Sequence, residues 1–357
     1  MDFFEDEHAD AQVRYLSRQE VVRACRDLDA VEVTAEALRQ HAAGNAILPP
    51  EAYLGWQDST GHTARCLAMP GGLHYPDRTA LGLKVINSSL GNPARGIPRS
   101  QGFTMVFDPE TARPQMIMEA AYISAVRTAA VTVVTALAVA GHATSCGLIG
   151  CGTLAKAHLV LLAGRLTGLA EFWLYDRDRA IALRLAEQCA ATALRHGLKI
   201  RVAASAEECV RNSDLVIPAT TVTEGYLPLA WLRPGALVAH ISLDDLTPAV
   251  ITECDLLLVD DWHLVRDDSR RLLGRMWRDG SLLAPGGDPN PDVAPRPPAR
   301  AVDASIGEVL IGAHPGRAAE GDIIVSNPFG MSILDVALAD RVREAAGRLG
   351  LGRDLPV

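Results

Sequence analysis

From residue 145 onward, short apolar runs alternate with segments whose apolar residues recur every three to four positions. The runs Ser145–Ile149, Glu171–Tyr175, 200–204, 215–219, 236–241 and Leu256–Val259 predict six strands. Residues 153–166 and 179–196 predict helices between the first three, the second with Ile181, Leu185 and Cys189 on one face. Such alternation predicts a doubly wound parallel sheet. Before residue 130 the pattern differs. Ser17-Arg-Gln-Glu20 reads as a capping box opening a helix with Val21, Val22, Cys25 and Leu28 inward. A second helix is expected over 30–43, stopping at Gly44. Strands are expected at 63–69, 80–86, 102–107 and 115–119, the last two joined by the turn-rich Asp108-Pro-Glu-Thr-Ala-Arg-Pro114. Residues 323–325 read as a further strand and 331–349 as a closing helix. The expected fold is α/β: a Rossmann dinucleotide-binding domain over 131–317, plus an α+β domain built from 1–130 and the returning tail 318–357.

One stretch tests this division. Residues 120–141 are almost wholly apolar and about long enough to span a bilayer. Arg127 lies within it and the stretch leads directly into the first strand of the parallel sheet. A buried connecting helix is therefore expected, and no membrane span. Residues 284–300 contain six prolines and predict an exposed loop.

Composition narrows the class. The chain has 357 residues, 48% of them apolar, which is ample for two buried cores. An excess of 43 acidic over 34 basic side chains, net −9, argues against nucleic acid as a partner. Seven cysteines without a CxxC pair indicate neither a disulfide framework nor a metal site. The acidic start, Met1-Asp-Phe-Phe-Glu-Asp-Glu-His, is unlike a signal peptide, and a cytoplasmic location is expected.

Chemistry is signalled first at Ile149-Gly-Cys-Gly152-Thr-Leu-Ala155. A strand precedes this Gly-x-Gly-x-x-Ala turn, a helix follows it, and the next strand ends on Asp176. Gly150 permits the tight turn, Gly152 admits the pyrophosphate, and Ala155 lets the helix pack on the sheet. The helix N-terminus offers unpaired N–H groups to phosphates. The implied cofactor is NAD. Gly150, Gly152, Thr153 and Leu154 are its candidate contacts, with Asp176 on a ribose hydroxyl. Arg177 could instead accept a 2′-phosphate, so NADP stays open. Thr220, Thr221 and Ser242, just past the fourth and fifth strands, complete the set.

Three charges stand in apolar surroundings. Lys84 interrupts Ala80-Leu-Gly-Leu-Lys84-Val-Ile, where a buried ammonium must snorkel, pair or act. Arg127 is the sole charge of its helix, and its planar fork suits a carboxylate. Asp245 follows the fifth strand, at the carboxyl edge where open α/β sheets bind ligands. Asp244 beside it is an alternative acid, and an internal salt bridge is the plain reading of each.

These segments resemble the ornithine cyclodeaminase/mu-crystallin family. The marks are Gly82-Leu-Lys84 with Asn92-Pro93, Ser124-Ala-Val-Arg127-Thr-Ala-Ala130, Ile149-Gly-Cys-Gly152 and Asn327-Pro-Phe-Gly330-Met331, spread over about residues 14 to 345. The resemblance implies a catalytic Lys84, a carboxylate-binding Arg127 and an acid at Asp245. It implies substrate contacts from Arg65, Lys84, Arg127 and Asn327, and a homodimer joined through the substrate domain. Closer marks are Pro50-Glu-Ala-Tyr53-Leu54, Gly61-His62, Asp108-Pro-Glu-Thr111, Met118-Glu119-Ala120, Val259-Asp-Asp-Trp262 and Pro315-Gly-Arg317. They are similar to the branch that makes 2,3-diaminopropionate for siderophores. The implied reaction is NAD-dependent oxidation and hydrolysis of N-(2-amino-2-carboxyethyl)-L-glutamate to 2-oxoglutarate and L-2,3-diaminopropionate, an amino-acid-derived small-molecule substrate. Alternatives are an ornithine or lysine cyclodeaminase, another amino-acid or imine oxidoreductase, and a non-enzymatic nucleotide-binding protein like mu-crystallin.

The chain also departs from the family. Ile241-Ser-Leu-Asp-Asp245-Leu-Thr-Pro248 lacks the Gly-Gly-Asp-x-Pro-Gly-Lys loop of a cyclodeaminase. Leu67 stands where that pattern carries a Glu for a distal amine, and Gly55 stands where the siderophore branch has an Arg, a contact Arg65 could replace. The proline-rich stretch has no counterpart.

Overall fold

The structure, a computed structural model, describes residues 12–356, so the acidic start lies outside the described residues. Two compact units divide the chain, one running to residue 127 and resuming at 331, the other comprising 128–330.

The first unit is built on an eight-stranded sheet. Its order is Arg353–Pro356, Gln12–Leu16, Pro114–Glu119, Ser100–Phe107, Thr79–Ser89, Thr63–His74 and Ala46–Ile47, with Ala52–Gln57 also paired to Thr63–His74. All pairs are antiparallel except Gln12–Leu16 with Pro114–Glu119. Side chains alternate across a strand, so Ala80, Gly82 and Lys84 share one buried face of Thr79–Ser89. The helix Ser332–Leu349 covers that face, burying Ile333, Leu334, Val336 and Leu338. Gly82 makes the approach close: a Cβ there would stand 2.5 Å from the Met105 carbonyl oxygen and 3.1 Å from Val336 Cγ2. The opposite face is open, with Leu54 64% and Phe103 50% exposed.

The helices Arg18–Ala24 and Ala30–Ala42 lie where the pattern placed them. Glu20 accepts from the Ser17 N–H at 2.9 Å and from its hydroxyl at 2.7 Å. The predicted strand over 63–69 continues to His74 through Pro70. Ala52–Gln57 pairs only as far as Ala68, and Ala46–Ile47 pairs only from Gly72, so the missing proline N–H costs no ladder bond on that side.

The second unit holds a parallel sheet in the order Lys199–Val202, Glu171–Tyr175, Ser145–Ile149, Leu215–Pro218, Leu237–Ala239, Ile324–Ser326, Leu256–Val259 and Ala304–Ser305. The six predicted strands are present, slightly trimmed. The expected return to the first domain at 318 is corrected. Ile324–Ser326 inserts between the fifth and sixth strands, and the crossing comes at Met331. All three of its residues are buried, as suits a strand covered on both faces. The apolar stretch forms the helix Ala120–Val139, 67% buried over its most apolar window, which fits the core helix of a folded unit. The proline-rich segment is mostly exposed, closed at its base by the pair Leu282–Leu283 and Arg300–Ala301.

Candidate active site

In the first unit, Lys84 and Arg127 converge on one acid that the pattern reading passed over. Lys84 Nζ donates to Asp335 Oδ2 at 2.7 Å, and Arg127 Nε stands 3.1 Å from the same oxygen. Lys84 is 1% exposed, Arg127 8% and Asp335 0%. Burial pulls the Lys84 ammonium down to about 8. The Asp335 carboxylate works against that shift and the Arg127 guanidinium adds to it. Two buried cations therefore share one oxygen of a buried anion, and Glu51 is the further carboxylate whose charge acts on Lys84. A signal for Asp335 existed: it is the only charge in Met331-Ser-Ile-Leu-Asp-Val-Ala-Leu-Ala339, just as Arg127 is alone in its helix.

Arg65 lies on the same sheet face as Lys84, because Arg65 pairs with Ser88 and Met69 with Lys84. Its Nε donates to Ser88 Oγ at 3.2 Å. Gly55 is its direct cross-strand partner. Side chains so paired lie about 5 Å apart at Cβ, so a guanidinium at 65 stands next to the place where the resemblance expects one at 55.

In the second unit, Gly150 takes φ +86°, and a Cβ there would lie 2.8 Å from the Ala219 carbonyl oxygen. Its N–H donates to Tyr175 O at 2.8 Å, locking the turn to the next strand. Thr153–Arg165 starts without a side-chain cap, so its first N–H groups are available. A Cβ at Gly152 would meet no atom within 4 Å, so the space before that helix end is open. These features fit a dinucleotide pyrophosphate. Asp176 accepts from Cys151 N at 2.8 Å and Asp178 N at 3.0 Å, one bond per oxygen, which leaves acceptor capacity for a ribose hydroxyl. Arg177 and Thr153 are exposed and Leu154 is half-buried.

Asp245 and Asp244 are separated by their partners. Asp244 is ion-paired with Arg275. Asp245 accepts on Oδ1 from Thr220 Oγ1 at 2.7 Å and from the Tyr226 hydroxyl at 3.1 Å, while its buried Oδ2 has no hydrogen-bond partner among the described residues. Burial raises the Asp245 carboxyl. The hydroxyls of Ser242, Thr220 and Tyr226 oppose the rise, and Asp244 adds to it. Thr220 thus places its hydroxyl on Asp245, while the Ser242 oxygen lies 3.0 Å from Pro218 O, so its single hydroxyl hydrogen is shared between that carbonyl and Asp245. Thr221 is exposed in the following loop. Asn327 is 1% exposed, with Nδ2 2.7 Å from His240 Nδ1, so its amide braces the sheet interior. Other motif residues also make internal hydrogen bonds. Asp260 accepts from the N–H groups of Phe329 and Gly330, each at 2.7 Å, and Arg317 donates to the carbonyls of Val139, Asp322 and Gly235. Asp108 holds its hairpin loop through Thr111 and Gln115.

A doubly wound sheet with this glycine turn, in a chain whose other unit buries Lys84 and Arg127 against one carboxylate, fits the class of a dinucleotide-dependent oxidoreductase. The chain belongs to the ornithine cyclodeaminase/mu-crystallin family, whose model matches residues 12–348. It is 29% identical to the N-((2S)-2-amino-2-carboxyethyl)-L-glutamate dehydrogenase of Staphylococcus aureus over 96% of this chain and 98% of that protein. Among solved structures it resembles CmnK, at 36% identity and TM-score 0.85, covering 97% and 98% of the two chains. It also resembles an archaeal alanine dehydrogenase dimer with bound NAD, at 26% identity and TM-score 0.80, covering 97% and 99%.

Proposed function

We propose that this enzyme is an NAD-dependent oxidoreductase that cleaves the Cα–N bond of N-(2-amino-2-carboxyethyl)-L-glutamate. The observation that carries the reading is the gathering of Lys84 and Arg127 at one Asp335 oxygen, with Arg127 meeting it through Nε so that the end of its fork suits a substrate carboxylate. The full-length similarity to the staphylococcal dehydrogenase supports this particular substrate. Leu67 supports it too, since an apolar side chain there offers nothing to the distal amine of ornithine.

NAD, when bound, would supply the acceptor for the hydride that leaves the glutamate Cα. The substrate's C–N bond becomes a ketimine, and water adds to release 2-oxoglutarate and L-2,3-diaminopropionate, with one proton set free. Arg127 holds a substrate carboxylate. Lys84 holds the same group and relays a proton to or from the attacking water. Asp245 takes a proton on Oδ2, the oxygen left without a partner. Proton transfers of this kind contribute about 10²–10⁴-fold. Gly150, Gly152, Thr153, Leu154 and Asp176 would hold the dinucleotide. Arg65 offers a second cation on the Lys84 face for another carboxylate.

A homodimer is part of this reading. Leu54, Trp56 and Phe103 stand exposed on the open face of the first-unit sheet, beside half-buried Val85, Met105 and Ile117. Apolar faces of this kind mark interaction surfaces.

The deciding assay incubates purified enzyme with the amine and NAD, following NADH by absorbance and both products by mass. Absence of both products refutes the substrate. Ornithine converted to proline and ammonia without net NADH selects a cyclodeaminase instead.

A further inference from the structure

We propose that Asp335 is the positioning residue of the candidate site, one carboxylate oxygen that sets the geometry of both Lys84 and Arg127 and so presents them together to the substrate. The proposal rests on the reading that those two residues act on substrate.

Lys84 occupies a core-facing position between Gly82 and Ile86, with Met69 and Thr104 as cross-strand partners. None of these neighbours carries charge, so the strand alone cannot hold an ammonium there. The holding group comes from 251 residues away, on the first turn of Ser332–Leu349. Asp335 is 0% exposed and lies in the first turn of that helix, where the backbone dipole favours negative charge. Gly82, one turn of the pleat away, lets the helix come near enough for this short side chain to reach Lys84 Nζ at 2.7 Å.

Sharing one oxygen has a geometric result. Arg127 meets Asp335 as an ion pair through Nε, 3.1 Å away and without hydrogen-bond geometry, so the fork turns its Nε side to Asp335 and its two terminal nitrogens suit a ligand. A substrate carboxylate would therefore engage Arg127 end-on, with the Lys84 ammonium beside it. Asp335 Oδ1 is buried and makes no hydrogen bond among the described residues, so the carboxylate is committed to this pair. The charged groups acting on Lys84 are Asp335 from the closing helix, Arg127 from the long helix and Glu51 ahead of Ala52–Gln57. Asp335 and Glu51 favour the protonated ammonium, while Arg127 and burial disfavour it.

The test uses full-length Asp335→Asn, Asp335→Glu and Lys84→Met, read by NADH binding, KM and the pH dependence of kcat/KM. The diagnostic limb is the one that Lys84→Met erases. Asp335→Asn removes the anion that favours the protonated lysine, so that limb should move to lower pH by about one unit. KM should rise about tenfold as Arg127 loses its anchor. Asp335→Glu keeps the charge but displaces it, so the limb should stay while KM rises about tenfold. A wild-type limb and KM in Asp335→Asn, with only a lower melting temperature, would overturn the proposal. Should Asp335→Asn fail to bind NADH, the Glu variant decides, and an unchanged KM there overturns it. Full turnover by Lys84→Met would instead defeat the underlying assignment of Lys84.

Discussion

Replacing Lys84 with Met separates a chemical role from a structural one, because the two predict different changes in stability. The ammonium is 1% exposed and burial depresses its pKa, so it carries an unrelieved desolvation cost. Removing one member of a buried ion pair usually destabilises by about 3–5 kcal/mol, since the other charge is left alone. Here Asp335 keeps its ion pair with Arg127 at 3.1 Å, so its charge stays partnered although the 2.7 Å hydrogen bond from Lys84 is lost. Methionine nearly fills the lysine stem's volume, and volume-conserving swaps cost less than about 1.5 kcal/mol. The melting temperature should therefore hold or fall only slightly. If Lys84 relays a proton or activates water, turnover should fall about 10²–10⁴-fold, equivalent to roughly 3–5 kcal/mol of barrier. NADH affinity should be untouched, because the glycine turn belongs to the other compact unit. Differential scanning fluorimetry with and without NADH, alongside initial rates, reads all three quantities. A variant that melts several degrees lower yet turns over at the wild-type rate would refute the chemical role.

Asp245→Asn should lower kcat about 100-fold with little change in KM, and it should erase the acidic limb of the pH profile. Because burial raises this carboxyl, the wild-type rate should climb through that limb at a higher pH than an ordinary aspartate would give, and a rate independent of pH there would count against it. NAD should bind more tightly than NADP, since Asp176 would repel a 2′-phosphate, and equal affinities in a titration would overturn the preference. Light scattering should find a dimer, and Leu54→Asp should weaken it; a monomeric wild type at micromolar concentration would rule the dimer out.

The parts of this protein legible in the sequence are those governed by short-range rules. Gly150 must have no side chain because the turn needs φ +86°, and the alternating apolar runs that flank it reflect strands buried in a parallel sheet. Lys84 and Arg127 stood out because a charge in an apolar run has to be answered by something. What answers it could not be read locally. Asp335 is 251 residues from Lys84, brought there by a helix that closes the first unit only after the chain has completed the second. The same long return misled the boundary at 318, since a three-residue apolar strand pairs equally well in principle with either sheet until the neighbours at Leu237–Ala239 and Leu256–Val259 claim it. The sequence could not rank Asp244 against Asp245 either. Their neighbours Arg275, Thr220 and Tyr226 are distant along the chain, and only the folded arrangement pairs Asp244 with a cation and leaves one oxygen of Asp245 without a hydrogen bond. Periodicity and backbone sterics act over a few residues, and they set the elements and the nucleotide turn. The electrostatics of a buried site depends on which side chains the fold brings within about 4 Å of one another, and that was decided by tertiary structure alone.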